Sequence, residues 1–261
     1  MQRSSIAAIL SVLGLAAGCS TPSVTLFPRA AQVTPDGEFA AATSGGGSAS
    51  SDSDALNIDD DETVFAPRAD LDWSRWHLTV DRFGVSSEGT GTAEAQIEFD
   101  GVTIPQGDTV DTDLDVDLTS ATFCFDFLPV PNAELGIGVG VVLADFSIDM
   151  TSQTLGQTAS ADEEVPLPVL AARAGVDFGR FSLGALARGF EVEIDDVEVS
   201  YLDLDAHARY DLFQATDSHL RGGLVLGWRV VAFDAEFEDG SSTIDADMDY
   251  SGPYAGIAFT F

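Results

Sequence analysis

Lysine is missing from this chain: all eleven basic residues are arginine, set against 44 aspartates and glutamates, for a formal net charge of −33. That balance repels polyanions and excludes nucleic acid and anionic membrane faces as partners. Cysteine is nearly absent, with only Cys19 and Cys124, whose separation gives no metal-ligand spacing. Beyond the N-terminus there is no run near the roughly 20 apolar residues that a spanning helix requires. The shortage of long apolar runs does not make the chain polar. Its mean hydropathy is +0.12 and 45% of its residues are hydrophobic, too many for an acidic disordered chain. Strong acidity in some stretches and strong apolarity in others must coexist, and alternation along strands is one way to achieve this.

The first 19 residues carry one positive charge, Arg3, then an apolar stretch from Ile6 to Ala17 that ends Leu15-Ala16-Ala17-Gly18-Cys19. This is the pattern of a secretory signal peptide. The small residues before Cys19 resemble a lipoprotein box, which makes Cys19 a candidate lipidation site; ordinary cleavage nearby is the alternative. Residues 20–69, with the run Ser44-Gly45-Gly46-Gly47-Ser48, are expected to form a flexible, disordered tail. The acidic run Asp59-Asp60-Asp61-Glu62 reads as solvated tail.

From residue 70 onward one parity is repeatedly apolar. Trp76, Leu78 and Val80 alternate with His77, Thr79 and Asp81, and Phe123, Phe125 and Phe127 with Cys124 and Asp126. Leu135, Ile137, Val139, Val141 and Leu143 alternate with Glu134, Gly136, Gly138 and Gly140. Similar segments begin at Leu170, Phe181, Leu202 and Leu220, and the last covers residues 254–261, which end Phe259-Thr260-Phe261. Eight strands result. Connections at 129–132, 179–180 and 214–218 are short. Those at 84–121, 147–166, 191–197 and 236–249 are longer and acidic. Residues 92–99 and 113–118 also alternate and are expected to extend strands one and two beyond the membrane as a hairpin; counting them as further membrane strands would give ten.

Tyr254, Gly256, Phe259 and Phe261 resemble the C-terminal signal by which bacterial outer-membrane barrels are recognised for insertion. With the strand count and the loop asymmetry, residues 70–261 resemble the small outer-membrane barrels of the OmpA-transmembrane and OmpW type. The resemblance implies an all-β, eight-stranded, antiparallel up-and-down transmembrane barrel in the outer membrane of a Gram-negative cell. Its loops would be extracellular and its N-terminal tail periplasmic, its partners membrane lipid and the barrel-assembly machinery, and its state monomeric.

On the inward parity lie Arg173, Arg188, Arg209, Arg221 and Arg229 together with Asp81, Asp126, Glu134, Asp177, Asp203 and Asp205. Buried charges must pair, so these residues are expected to form a salt-bridged plug, with a selective pore as the alternative. The aspartates at 111, 113, 115 and 117 fail the EF-hand pattern, having Val116 where glycine is needed and Thr122 at the final position. No Ser–His spacing supports hydrolysis by His77, His207 or His219. No cofactor, no metal and no enzyme activity are expected. The competing reading is a lipid-anchored soluble barrel that holds a small apolar ligand, in which apolar residues face inward and charges outward.

Overall fold

The computed structural model describes residues 21–43, 47–52, 61–93, 97–99, 102–128, 130–194, 197–215, 220–239 and 242–261. The leader, Cys19 and His219 lie outside them. The described residues form strands only. These are β1 (Ser23–Phe27), β2 (Arg29–Thr43), β3 (Gly47–Asp52), β4 (Glu62–Phe65), β5 (Arg68–Trp73), β6 (Trp76–Thr92), β7 (Ile97–Phe99) and β8 (Val102–Ile104), then β9 (Thr109–Asp126), β10 (Ala133–Ser152), β11 (Thr158–Phe178), β12 (Phe181–Ile194), β13 (Val197–Gln214), β14 (Arg221–Asp239) and β15 (Ser242–Thr260).

Ten of these close a ring, in the order β1, β5, β6, β9, β10, β11, β12, β13, β14 and β15, and β15 returns to β1. At the join Phe261 N donates to Val24 O at 2.9 Å and Val24 N to Phe261 O at 3.3 Å. Every ladder is antiparallel. The barrel therefore has ten strands, not eight, and begins at Ser23 rather than residue 70. The two strands missing from the sequence count are β1 with its continuation β2, and β5, whose line continues back to β4. The terminal strand closes on β1 and β2. The long connections also shrink: strands run through most of 147–166, and the connection there is only residues 153–157.

Below a level near Val80 and Leu143, the expected parity holds. Leu135, Ile137, Val139, Val141 and Leu143 are exposed on the outer face of β10. Leu170, Leu183, Leu204, Leu226 and Ile257 continue this belt around the wall. The nine residues from Leu135 to Leu143 cover about 30 Å along a strand, or about 23 Å of height at a tilt of ~40°. Above that level the polarity reverses on the same strands. On β9 the outward positions become Asp117, Asp115, Asp113 and Asp111, while Leu118, Val116, Leu114 and Val110 are buried inside. On β6 the inward series His77, Thr79, Asp81 continues as Phe83 and Val85.

The registers explain the reversal. β11 and β12 pair only between Leu170–Phe178 and Phe181–Gly189, and β5 and β6 only up to Arg68↔Asp81. Higher up, β6, β9, β10 and β11 form one sheet, and β12, β13, β14, β15 and β2 another. The two sheets face each other across an apolar core, with Phe83 edge-on to Tyr250 at 6.2 Å and Phe146 against Phe233 at 5.1 Å. The barrel thus opens into a two-sheet sandwich, and a sandwich needs apolar residues inside. Pro166 and Pro168, which have no N–H to donate, sit in the stretch of β11 without a β12 partner, where a sheet edge tolerates them.

One turn at this end is pinned by Asp108, which accepts hydrogen bonds from the hydroxyls of Ser152 and Thr154. These bonds, Ser152 first, hold the Asp108 carboxyl below the ordinary carboxylate range. A lowered native value means stabilisation that is complete above the unfolded value of about 3.9 and lost as the pH falls through the native one. Asp108→Ala is therefore expected to speed amide exchange at residues 153–157 at neutral pH while the ladders of the lower barrel stay protected. Wild-type protein should show the same local loosening only on acidification, and unchanged exchange in the variant would refute the role.

Candidate functional site

Inside the lower barrel, charged side chains from nine strands interlock. Their alternation with outward apolar residues fixes them inward, because a one-residue slip would turn them into the belt. Arg188 on β12 donates through Nη1 and Nη2 to both carboxylate oxygens of Asp81, each at 2.8 Å. Its Nη2 also reaches Asp203 Oδ2 at 2.5 Å. Arg229 binds Asp203 in the same two-pronged way, at 3.1 and 2.8 Å, and lies over the ring of Phe83 at 4.9 Å. Ser120 donates to Asp81, and Tyr201 donates to Asp203 at 3.2 Å. The Arg188 and Asp203 side chains have no solvent-accessible surface.

A second group surrounds Asp205. Arg29 donates to it at 2.6 Å and Tyr254 OH at 2.5 Å, with Arg68 Nη1 at 3.7 Å. Arg68 is also held two-pronged by Asp70 at 2.8 and 3.0 Å. A third group lies towards the short-turn mouth. His77 lies between two carboxylates, Asp72 at 2.6 Å from Nδ1 and Asp126 at 2.7 Å from Nε2. Arg173 donates to Glu134 at 2.6 Å. A cavity of about 360 Å³ opens at this mouth, lined among others by His77, Glu134, Arg173, His207 and Arg209.

The inward set read from sequence is brought together only in part. Asp81, Asp126, Arg188, Asp203, Asp205 and Arg229 are buried in the network. Arg209 pairs with Asp211 at 2.7 Å beside the mouth. Arg221 stays well exposed, 3.8 Å from Asp211. Asp177 is exposed at the rim and its side chain joins none of the three groups. Cys124 is buried and free. Of the terminal residues, Tyr254 is turned inward onto Asp205, whereas Phe261 is exposed beside the belt. Sequence reasoning missed Arg29, Arg68, Asp70 and Asp72, which are bound into the network. The first two lay in the stretch read as a tail; the signal that could have found them is the alternation of Arg68, Asp70 and Asp72 with Ala69, Leu71 and Trp73.

No protein-family profile matches the chain, and no curated protein is similar to it. Solved structures are similar to it. The outer membrane protease OmpT from Escherichia coli matches with a TM-score of 0.51 at 11% identity, over 92% of this chain and 97% of that one. The toluene transporter TodX of P. putida matches with a TM-score of 0.32 at 11% identity, over 93% of this chain and 90% of that one. The transport unit of the autotransporter AIDA-I from Escherichia coli gives 0.34 at 10%, over 93% of each chain. The chain is thus a closed antiparallel β-barrel with the fold of the first of these. That likeness overturns the expectation that the chain is not an enzyme: a barrel of this fold is a protease, so the architecture is no ground for excluding catalysis.

Proposed function

We propose that this chain is an integral outer-membrane barrel of structural or surface-interaction type. Its lower half would cross the bilayer with an interior plugged by the arginine–aspartate network. Its upper sandwich would present an acidic surface outside the cell. The observation that carries this reading is the reversal of polarity along single strands. A lipocalin-like soluble barrel would keep its apolar face inward throughout. Here the outward face is apolar over the ~25 Å height of the outer-membrane apolar band and acidic above it. The rings of Trp76, Phe178, Phe181, Tyr210 and Phe261 are exposed towards the short-turn end, where interfacial aromatics belong. The OmpT likeness supports the same setting.

The plug reading rests on burial: Arg188, Asp203, Val142 and Ala144 are sealed from solvent, which favours a filled interior over a polar conduit. Folded protein is expected to stay in the membrane pellet after carbonate washing and to run faster on gels unheated than boiled. Deleting Phe261 should reduce the membrane-inserted fraction. Quantitative release by carbonate without detergent would refute the proposal.

A further inference from the structure

The structure assigns a binding site for a first-row transition-metal ion of the zinc class to the short-turn mouth of the barrel, with His77, Asp126 and Glu134 as ligands and Asp72 as the residue that orients His77. One donor atom from each of the three ligands lies within 4.8 Å of the others. Ligands sharing an ion at ~2.1 Å bonds stand roughly 3.4 Å apart in a tetrahedral site, so small side-chain adjustments complete it. The fourth position faces the mouth cavity of about 360 Å³, which His77 and Glu134 both line and which gives the ion a route in.

Three independent features favour a cation here. First, Asp126 is 7% exposed, yet its Oδ1 has no hydrogen-bond partner. That oxygen leans onto β10 at Gly136, where a Cβ would come within 2.5 Å of it, two residues from Glu134 on the same face. A buried carboxylate oxygen with no partner is costly, and a metal ion satisfies it. Second, Asp72 holds His77 through Nδ1 at 2.6 Å and leaves Nε2 directed at Asp126. Carboxylate to imidazole to metal is the usual relay by which a ligating histidine is fixed. Third, Asp72, Asp126 and Glu134 carry three negative charges. Arg173 supplies one positive charge, at 2.6 Å from Glu134 and 3.5 Å from Asp72. Arg75 turns away over the Phe125 ring and donates only to the backbone carbonyl of Asp126. A divalent ion with neutral His77 brings the cluster to zero. The mixture of one imidazole and two carboxylates selects a borderline ion over Mg²⁺ or Ca²⁺.

The test is calorimetric titration of the full chain, folded in detergent, with Zn²⁺ in excess Mg²⁺ so that exposed surface carboxylates are occupied. One Zn²⁺ per chain is expected above that background. His77→Gln and, separately, Glu134→Gln should each weaken it at least tenfold while the unheated gel mobility stays that of the folded barrel. Co²⁺ should give visible ligand-field bands that Mg²⁺ does not suppress and that His77→Gln abolishes. Should His77→Gln fail to fold, the Glu134→Gln titration and the wild-type Co²⁺ spectrum decide. Equal Zn²⁺ affinity and stoichiometry in wild type and a folded variant, or the absence of a Co²⁺ spectrum, overturns the site.

Discussion

Arg188→Met is expected to cost the folded barrel about 3–5 kcal/mol, the range found when one partner of a buried ion pair is removed. The reason is what remains. Arg188 supplies two hydrogen bonds to Asp81 and one to Asp203, in a region with no solvent contact. Without it, Arg229 alone faces both carboxylates, at 2.8 Å from Asp203 and 3.4 Å from Asp81. One negative charge is then left uncompensated away from water, which costs far more than the pair is worth against an apolar equivalent. The same argument fixes the outcome of a second variant. Arg188→Met combined with Asp81→Leu removes one charge of each sign and leaves the Arg229–Asp203 pair intact. It should therefore recover a large part of the loss, so that the double variant is more stable than Arg188→Met alone. Urea unfolding of detergent-folded protein, followed by intrinsic fluorescence and gel mobility, measures both. Equal stability of wild type and Arg188→Met would show that the network does not hold the wall together.

Much of this architecture is legible in the sequence, because a lipid-facing wall and a charged interior both obey a period of two. The inward arginines on β12 and β14, the outward aliphatics of β10 and the antiparallel order from β9 to β15 all follow from alternation. Two strands escaped for a physical reason. β1 has five residues and β5 six, and their outward residues include only Val24, Leu26, Ala69, Leu71 and Trp73. β2 contains Pro35-Asp36-Gly37, a turn sequence by local chemistry that the β15 ladder nevertheless holds extended. Tertiary pairing overrides the local preference there. With those strands went Arg29 and Arg68, and with Arg29 the closest ion-pair partner of Asp205.

The upper sandwich escaped for a different reason. Its strands keep the same parity as the barrel below, but the chemistry assigned to each parity is exchanged. The alternation of Asp113, Asp115 and Asp117 with Leu114, Val116 and Leu118 is legible as a strand extension, but nothing local shows that its apolar members have a core to fill. That core requires a second sheet opposite, brought from β13, β14 and β15 far along the chain and from β2 in the stretch read as a tail. Alternation shows that two faces differ. It does not show which face is inside when the solvent outside changes from lipid to water partway along a strand.

That ambiguity is what a single outward substitution resolves. Val139 sits at the centre of the five outward apolar residues of β10 and is 59% exposed. Val139→Arg is expected to cost about 2–4 kcal/mol when the protein is folded into phospholipid vesicles, the cost of an arginine at the midplane of a bilayer-spanning barrel. Asp113→Arg changes a residue that is also outward and exposed, but above the belt on β9, and it faces Asp149 across the ladder. It should stay within about 0.5 kcal/mol of wild type, as surface substitutions in water do, and the exchange of charge opposite Asp149 is mildly favourable. Only the difference between the two positions is diagnostic, since each introduces the same side chain on the same face of the same sheet. If water bathed the whole outer wall, Val139→Arg would replace an exposed apolar group by a solvated cation at almost no cost. Urea midpoints for the two variants in vesicles therefore separate the settings. A Val139→Arg barrel as stable as the Asp113→Arg barrel would mean that the belt does not lie in lipid, whatever the fold.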